Sequence, residues 1–147
     1  MAYQIEKIHL PKMYLASMSV TLPEYSVDLY EKAMETLKKE LSRMDVELAK
    51  PDYSFTVKSE AGAHLDLVTV ELYVSVEKMV SDTDSIHFIE IDESETLRIR
   101  SDEFTDIHIG LAEWMHDHDY MADGDLRRLT GEGSLYVYDC PIKPSED

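Results

Sequence analysis

One hundred and forty-seven residues, 44% apolar and 31% charged, form an ordinary globular mixture with enough apolar material for one core, which excludes disorder over most of the chain. Thirty-one Asp and Glu against fourteen Lys and Arg give a net charge of −17, which repels a polyphosphate backbone and argues against direct nucleic-acid binding. No basic segment followed by an apolar one opens the chain, no apolar run nears the ~18 residues a bilayer requires, and the lone Cys140 permits no intrachain disulfide, so a cytoplasmic protein off the membrane is expected.

Tyr14, Ala16, Met18 and Val20 alternate with Leu15, Ser17, Ser19 and Thr21, a period of two that predicts a strand. Ser26 is a plausible N-cap for the next element. Tyr30, Ala33, Met34, Leu37, Leu41 and Met44 recur at steps of three and four, predicting an amphipathic helix over residues 27–44. Tyr53, Phe55 and Val57 alternate in a second strand, Ala61-Gly62-Ala63 is read as a turn, and Val68 to Val76 alternates again. The order is β-α-β-β.

Ile86 to Arg100 is extended and partly apolar, long enough for one bent strand or two short ones. Ser101, Asp102 and Glu103 suit a helix opening, and Phe104, Ile107, His108, Leu111, Trp114, Met115 and His118 form its apolar stripe. A short strand at Leu126 to Thr130, a turn at Gly131-Glu132-Gly133 and an alternating Ser134 to Cys140 follow, with a loose tail from Pro141. The order is β-α-β-β once more. Val70-Glu71-Leu72-Tyr73-Val74 echoes Gly133-Ser134-Leu135-Tyr136-Val137 at an offset of 63 residues, which pairs Leu72 with Leu135 on the core side and sends Glu71, Tyr73, Ser134 and Tyr136 to the other face.

Charge is uneven. Residues 1–76 carry 12 acidic and 8 basic side chains (−4), and residues 77–147 carry 19 and 6 (−13). Asp102, Glu103, Asp106, Glu113, Asp117, Asp119, Asp123 and Asp125 crowd one stretch, which reads either as a solvated face or as a surface that attracts cations or a basic partner.

Several segments resemble the GyrI-like small-molecule-binding superfamily, which includes the effector-binding domains of bacterial multidrug-responsive transcription regulators. They are Tyr3-Gln4-Ile5-Glu6-Lys7-Ile8, Pro11 to Ala16, Pro51-Asp52-Tyr53-Ser54-Phe55, Glu71 to Val76, Leu111 with Trp114, and Leu135 to Pro141. The resemblance implies an α+β fold of two β-α-β-β units related by a pseudo-twofold axis, with a ligand cleft between them. It makes residues 1–141 one domain, with half-repeats of about 1–80 and 81–141 and a tail at 142–147, without the DNA-reading helices of the regulators. Two departures stand out. Arg100-Ser101-Asp102-Glu103-Phe104 lacks the family's Gly before the second helix, and Ser134 stands where the family's pocket carboxylate would be. Glu71, at the symmetry-equivalent place, or Glu132 then substitutes for it.

Glu71 with Tyr73 on its own face suits a cationic ligand, since a carboxylate attracts it and an aromatic ring adds cation–π contact. Tyr136 and Tyr138 share a face with Ser134 and either line the cleft or cover the sheet. Trp114 lies on the helix stripe, where an aromatic side chain serves a core or, by the family pattern, a pocket. His116 and His118 are two apart, whereas a helical metal chelate needs three or four, so no metal site is assigned. No phosphate loop, nucleophile elbow or zinc-protease motif occurs in the sequence, and no cofactor or catalytic residue is assigned. The expected ligand residues are Glu71, Tyr73, Trp114, Glu132, Ser134, Tyr136 and Tyr138. They would serve a cytoplasmic protein that binds or sequesters a small cationic or amphipathic molecule. The alternatives are an acidic module or inhibitor docking a basic protein and, with least support, a small-molecule hydrolase using Glu71 or Glu132 as a base.

Overall fold

A computed structural model of the chain describes residues 3–23, 27–64 and 67–145. The chain forms two compact units, residues 13–91 and residues 1–12 with 92–147. The expected boundary near residue 80 therefore falls at residue 91, and the first twelve residues join the later half.

The first unit contains β2 (Met13–Pro23), α1 (Val27–Arg43), β3 (Ser54–His64), β4 (Leu67–Val76) and β5 (His87–Ile91), with antiparallel strands in the order β3-β4-β2-β5. Alternation on β2 sends Ala16, Met18 and Val20 to the α1 side, where they meet Val70, Leu72 and Val74 of β4. Tyr30, Met34, Leu37 and Leu41 of α1 close this core at helical spacing. Leu37, Leu41 and Leu72 are fully buried, and such a side chain contributes ~1.5–3 kcal/mol by leaving water. The helix stops at Asp45, which adopts the left-handed conformation at φ 59° and lets the Val46 amide donate to the Leu41 carbonyl. Ser26 lies outside the described residues. The turn expected at Ala61-Gly62-Ala63 does not form there, because β3 continues to His64.

The second unit contains β1 (Tyr3–Leu10), β6 (Ser94–Ser101), α2 (Phe104–His118), β7 (Tyr120–Ala122), β8 (Arg127–Leu129) and β9 (Tyr136–Pro144). Its sheet runs β1-β6-β9-β8, and β7 pairs with β9 beyond β8. Ile107 and Leu111 of α2 pack on Leu97, Ile99, Tyr138, Cys140 and Ile142. Gly110 permits this approach, since a Cβ there would lie 2.6 Å from Ile99 Cδ1 and 2.9 Å from Tyr3 Cε1. The N-terminus of α2 follows Ser101, whose hydroxyl accepts from the Glu103 amide, and its C-terminus closes at Asp119 with φ 58°.

Both units thus share one pattern, a β-α-β-β run plus one flanking strand on the equivalent edge, β5 in one and β1 in the other, with the short β7 added after α2 in the second. The 63-residue echo is not the basis of it. An odd offset exchanges the two faces of a strand, and Leu72 is buried against α1 whereas Leu135 lies before β9 and is 44% exposed. On β9 the residues turned to α2 are Tyr138, Cys140 and Ile142, with Tyr136 packed beside them. The loose tail expected from Pro141 is also absent, because β9 runs through buried Pro141 and Ile142 to Pro144. No helix among the described residues is long and apolar enough to cross a membrane.

Candidate functional site

The face of the first unit's sheet away from α1 has no helix of that unit over it. Its cross-strand rows place Ser17 beside Tyr73 and Tyr73 beside Phe55, then Ser19 beside Glu71 and Glu71 beside Val57. The Tyr73 hydroxyl donates to Glu71 Oε2 at 2.6 Å. The Tyr73 ring stacks on Phe55 with centroids 4.8 Å apart and planes 12° from parallel, and Phe55 meets Tyr53 at 5.2 Å. Strand alternation explains the grouping, because residues two apart on β4 and opposite on β3 share one face. The phenol O–H, as donor, orients the carboxylate. A carboxylate has about four lone-pair positions, so one short hydrogen bond leaves it able to receive a cation.

The corresponding face of the second unit carries a different chemistry. Asp139 of β9 is fully buried and receives a bidentate pair from Arg98 of β6, with Nε to Oδ1 and Nη2 to Oδ2 both at 2.8 Å. In the same cross-strand row Glu6 lies beyond Arg98 and Arg127 beyond Asp139, and Arg100 reaches Glu6 at 3.3 Å. Here the carboxylate is neutralised by a guanidinium. Sequence reasoning passed over Arg98 and Asp139, and the available signal was a charged residue at each place within an apolar alternation.

The remaining expected site residues fall into three settings. Trp114 is half-buried on α2, stacked on His118 at 4.0 Å and inclined to Tyr120 at 5.3 Å. Tyr136 and Tyr138 lie on the α2 side of their sheet beside Phe104, at 5.6 and 6.1 Å, and Arg128 sits 5.1 Å from the Tyr136 ring. Glu132 and Ser134 were expected on a strand face and instead occupy the exposed loop before β9, because that strand starts at Tyr136 and the positive φ of Gly131 and Gly133 turns the chain there. Of the seven, the structure brings Glu71 together with Tyr73, and Tyr136 together with Tyr138.

No family model and no curated protein matches the sequence. Among solved structures, the C-terminal domain of EcmrR is similar over 98% of this chain and 99% of its own, at 18% identity and a TM-score of 0.75. EcmrR in its DNA complex (EcmrR-RPo) is similar over 97% of this chain, which spans 58% of that one, at 18% identity and a TM-score of 0.76. A hydrolase from Listeria innocua is similar over 95% of this chain and 92% of its own, at 14% identity and a TM-score of 0.60. The chain shares the fold of the EcmrR C-terminal domain, an α+β architecture built on antiparallel sheet.

Proposed function

We propose that the face carrying Glu71 and Tyr73 binds a small cationic or amphipathic molecule. The observation that carries this reading is the 2.6 Å hydrogen bond from Tyr73 to Glu71, made by a ring that itself stacks on Phe55. An oriented carboxylate beside aromatic rings attracts a cation through charge, and the rings add cation–π contact of ~0.5–2 kcal/mol. Ser17 and Ser19, opposite Tyr73 and Glu71 in register, are small and polar. Trp114, Tyr136 and Tyr138 pack in or against the core of the second unit. The shared fold is compatible with this reading and does not choose it, since one fold hosts many chemistries and the site has to supply the argument.

The test is thermal. Benzyltrimethylammonium, which binds only the folded protein, should raise the melting temperature, and Glu71→Gln should abolish that gain. Its neutral isostere 2,2-dimethylpropylbenzene should act alike on both proteins. Equal stabilisation by the cation and the isostere removes Glu71 from the site.

A second reading rests on a separate observation. Asp102, Glu103, Glu113, Asp117, Asp119, Asp123 and Asp125 are all exposed, which supports a surface that steers a basic protein partner. Such association should slow steeply with salt, because exposed charges are screened over ~10 Å at 0.1 M. Replacing Asp117, Asp119, Asp123 and Asp125 with Asn should then slow it further, and an unchanged rate rejects this reading.

A further inference from the structure

The segment that joins α1 to β3 encloses, with the last turns of α1, a groove of about 600 Å³. That volume lies within the ~300–1,000 Å³ of sites for small organic ligands. Its apolar wall is half-buried Leu48, backed by Val46 of the α1 core. The backbone of this wall is fixed. Leu48 bridges to Val76, the Ala49 amide donates to the Ser75 carbonyl at 3.0 Å, and the Glu77 amide donates to the Glu47 carbonyl at 2.9 Å. The groove also carries both signs of charge. Lys38 is held by Asp52 at 2.9 Å, while Lys50, Asp45 and Glu47 form no ion pair among the described residues. A ligand with a single charge would satisfy one sign and crowd the other. A ligand carrying both would answer each at once.

We propose that this groove is a second binding site, separate from the Glu71 face, for a small zwitterion with an apolar side chain. Lys50 takes its carboxylate, Asp45 and Glu47 take its ammonium, and Leu48 receives the side chain. The chemical class is that of an apolar free amino acid.

L-leucine is the probe, with 4-methylpentanoic acid lacking the ammonium and 3-methylbutylamine lacking the carboxylate. Each is titrated into the whole protein while the amide resonances of Val46, Glu47 and Leu48 are followed. Leucine should give saturating shifts with a Kd on the order of 1 mM, and each single-charge analogue should bind about tenfold more weakly. Lys50→Met should weaken leucine about tenfold and leave 3-methylbutylamine unchanged. Asp45→Asn, which keeps a residue tolerant of the left-handed backbone, should weaken leucine and leave 4-methylpentanoic acid unchanged. Glu71→Gln should alter none of these, which keeps this site's outcome apart from that of the first. Shifts that fail to saturate, or equal affinity for all three compounds, overturn the proposal.

Discussion

Tyr73 and Glu71, two residues apart on β4, are joined by a 2.6 Å hydrogen bond while the same tyrosine ring lies flat on Phe55. The phenol is therefore fixed at both ends, by its oxygen to the carboxylate and by its ring to the neighbouring strand. Tyr73→Phe keeps the stack and removes the donor. A hydrogen bond to a charged group contributes ~1.5–3 kcal/mol where it is shielded and less where water replaces it, so urea unfolding should show a loss of about 1 kcal/mol. Binding of benzyltrimethylammonium should weaken several-fold at the same time, because the carboxylate loses its orientation.

Arg98 and Asp139 behave differently under mutation. Asp139 has no solvent access, so Arg98→Met takes the bidentate partner from a buried carboxylate and should destabilise the protein in denaturant unfolding, since breaking a buried pair costs ~3–5 kcal/mol. Replacing both residues, Arg98→Met with Asp139→Leu, should recover most of that loss, since well-packed apolar groups substitute for a buried ion pair. A double variant no more stable than the single one contradicts this account.

Gly110→Ala should destabilise the protein although Ala is the better helix former by ~1 kcal/mol. The added methyl would stand 2.6 Å from Ile99 Cδ1, and overpacking of this kind costs ~1–3 kcal/mol. Ile99→Val in the same background removes the contacting methyl and should restore part of the melting temperature.

The Asp82 carboxyl is held below its ordinary value of 3.8, first by the hydrogen bond from the Phe88 amide and then by that from His87. A depressed folded-state value means that the stabilisation is complete above pH 3.8 and is lost as pH falls through the folded value. Asp82→Asn should therefore flatten the acid limb of melting temperature against pH below that point and leave the neutral region parallel to wild type.

Burial pushes the Cys140 thiol above its ordinary value, the Arg127 charge opposes the shift, and the Asp139 charge adds to it. At neutral pH the folded protein should be inert to iodoacetamide, and labelling should proceed at the rate of unfolding. Fast labelling of the native state would show the thiol to be accessible.

The sequence makes both helices and most strands legible because each buries one face, so Tyr30, Met34, Leu37 and Leu41 repeat at helical spacing and Val70, Leu72 and Val74 at strand spacing. Glu71 and Tyr73 are legible for the same reason, as alternation alone puts them on one face. The end of the chain is harder to read. Val137, Tyr138, Cys140 and Ile142 are all buried, so β9 has no polar face to fix its parity, and the echo of Leu-Tyr-Val invited a register one residue out. Phe55 as the partner of Tyr73, and Arg98 as the partner of Asp139, depend on pairing between strands, which no local periodicity encodes. The groove beside α1 is invisible for the same reason, since Leu48 meets Val76 across 28 positions of chain.

β1 lies at the end of its sheet order, with one side paired to β6 and no strand on its other side among the described residues. Such an edge is a template for a second copy. Two antiparallel copies related by a twofold axis keep like faces together, which restricts their register to pairs whose numbers sum to an even value. The two longest such registers of Tyr3–Leu10 centre either Glu6 on Glu6 or Lys7 on Lys7. Both set like charges directly opposite each other, a destabilising arrangement across strands. Adjacent residues of opposite sign at the middle of this strand thus act as a built-in guard against edge-to-edge aggregation, and exchanging both for Thr would remove it.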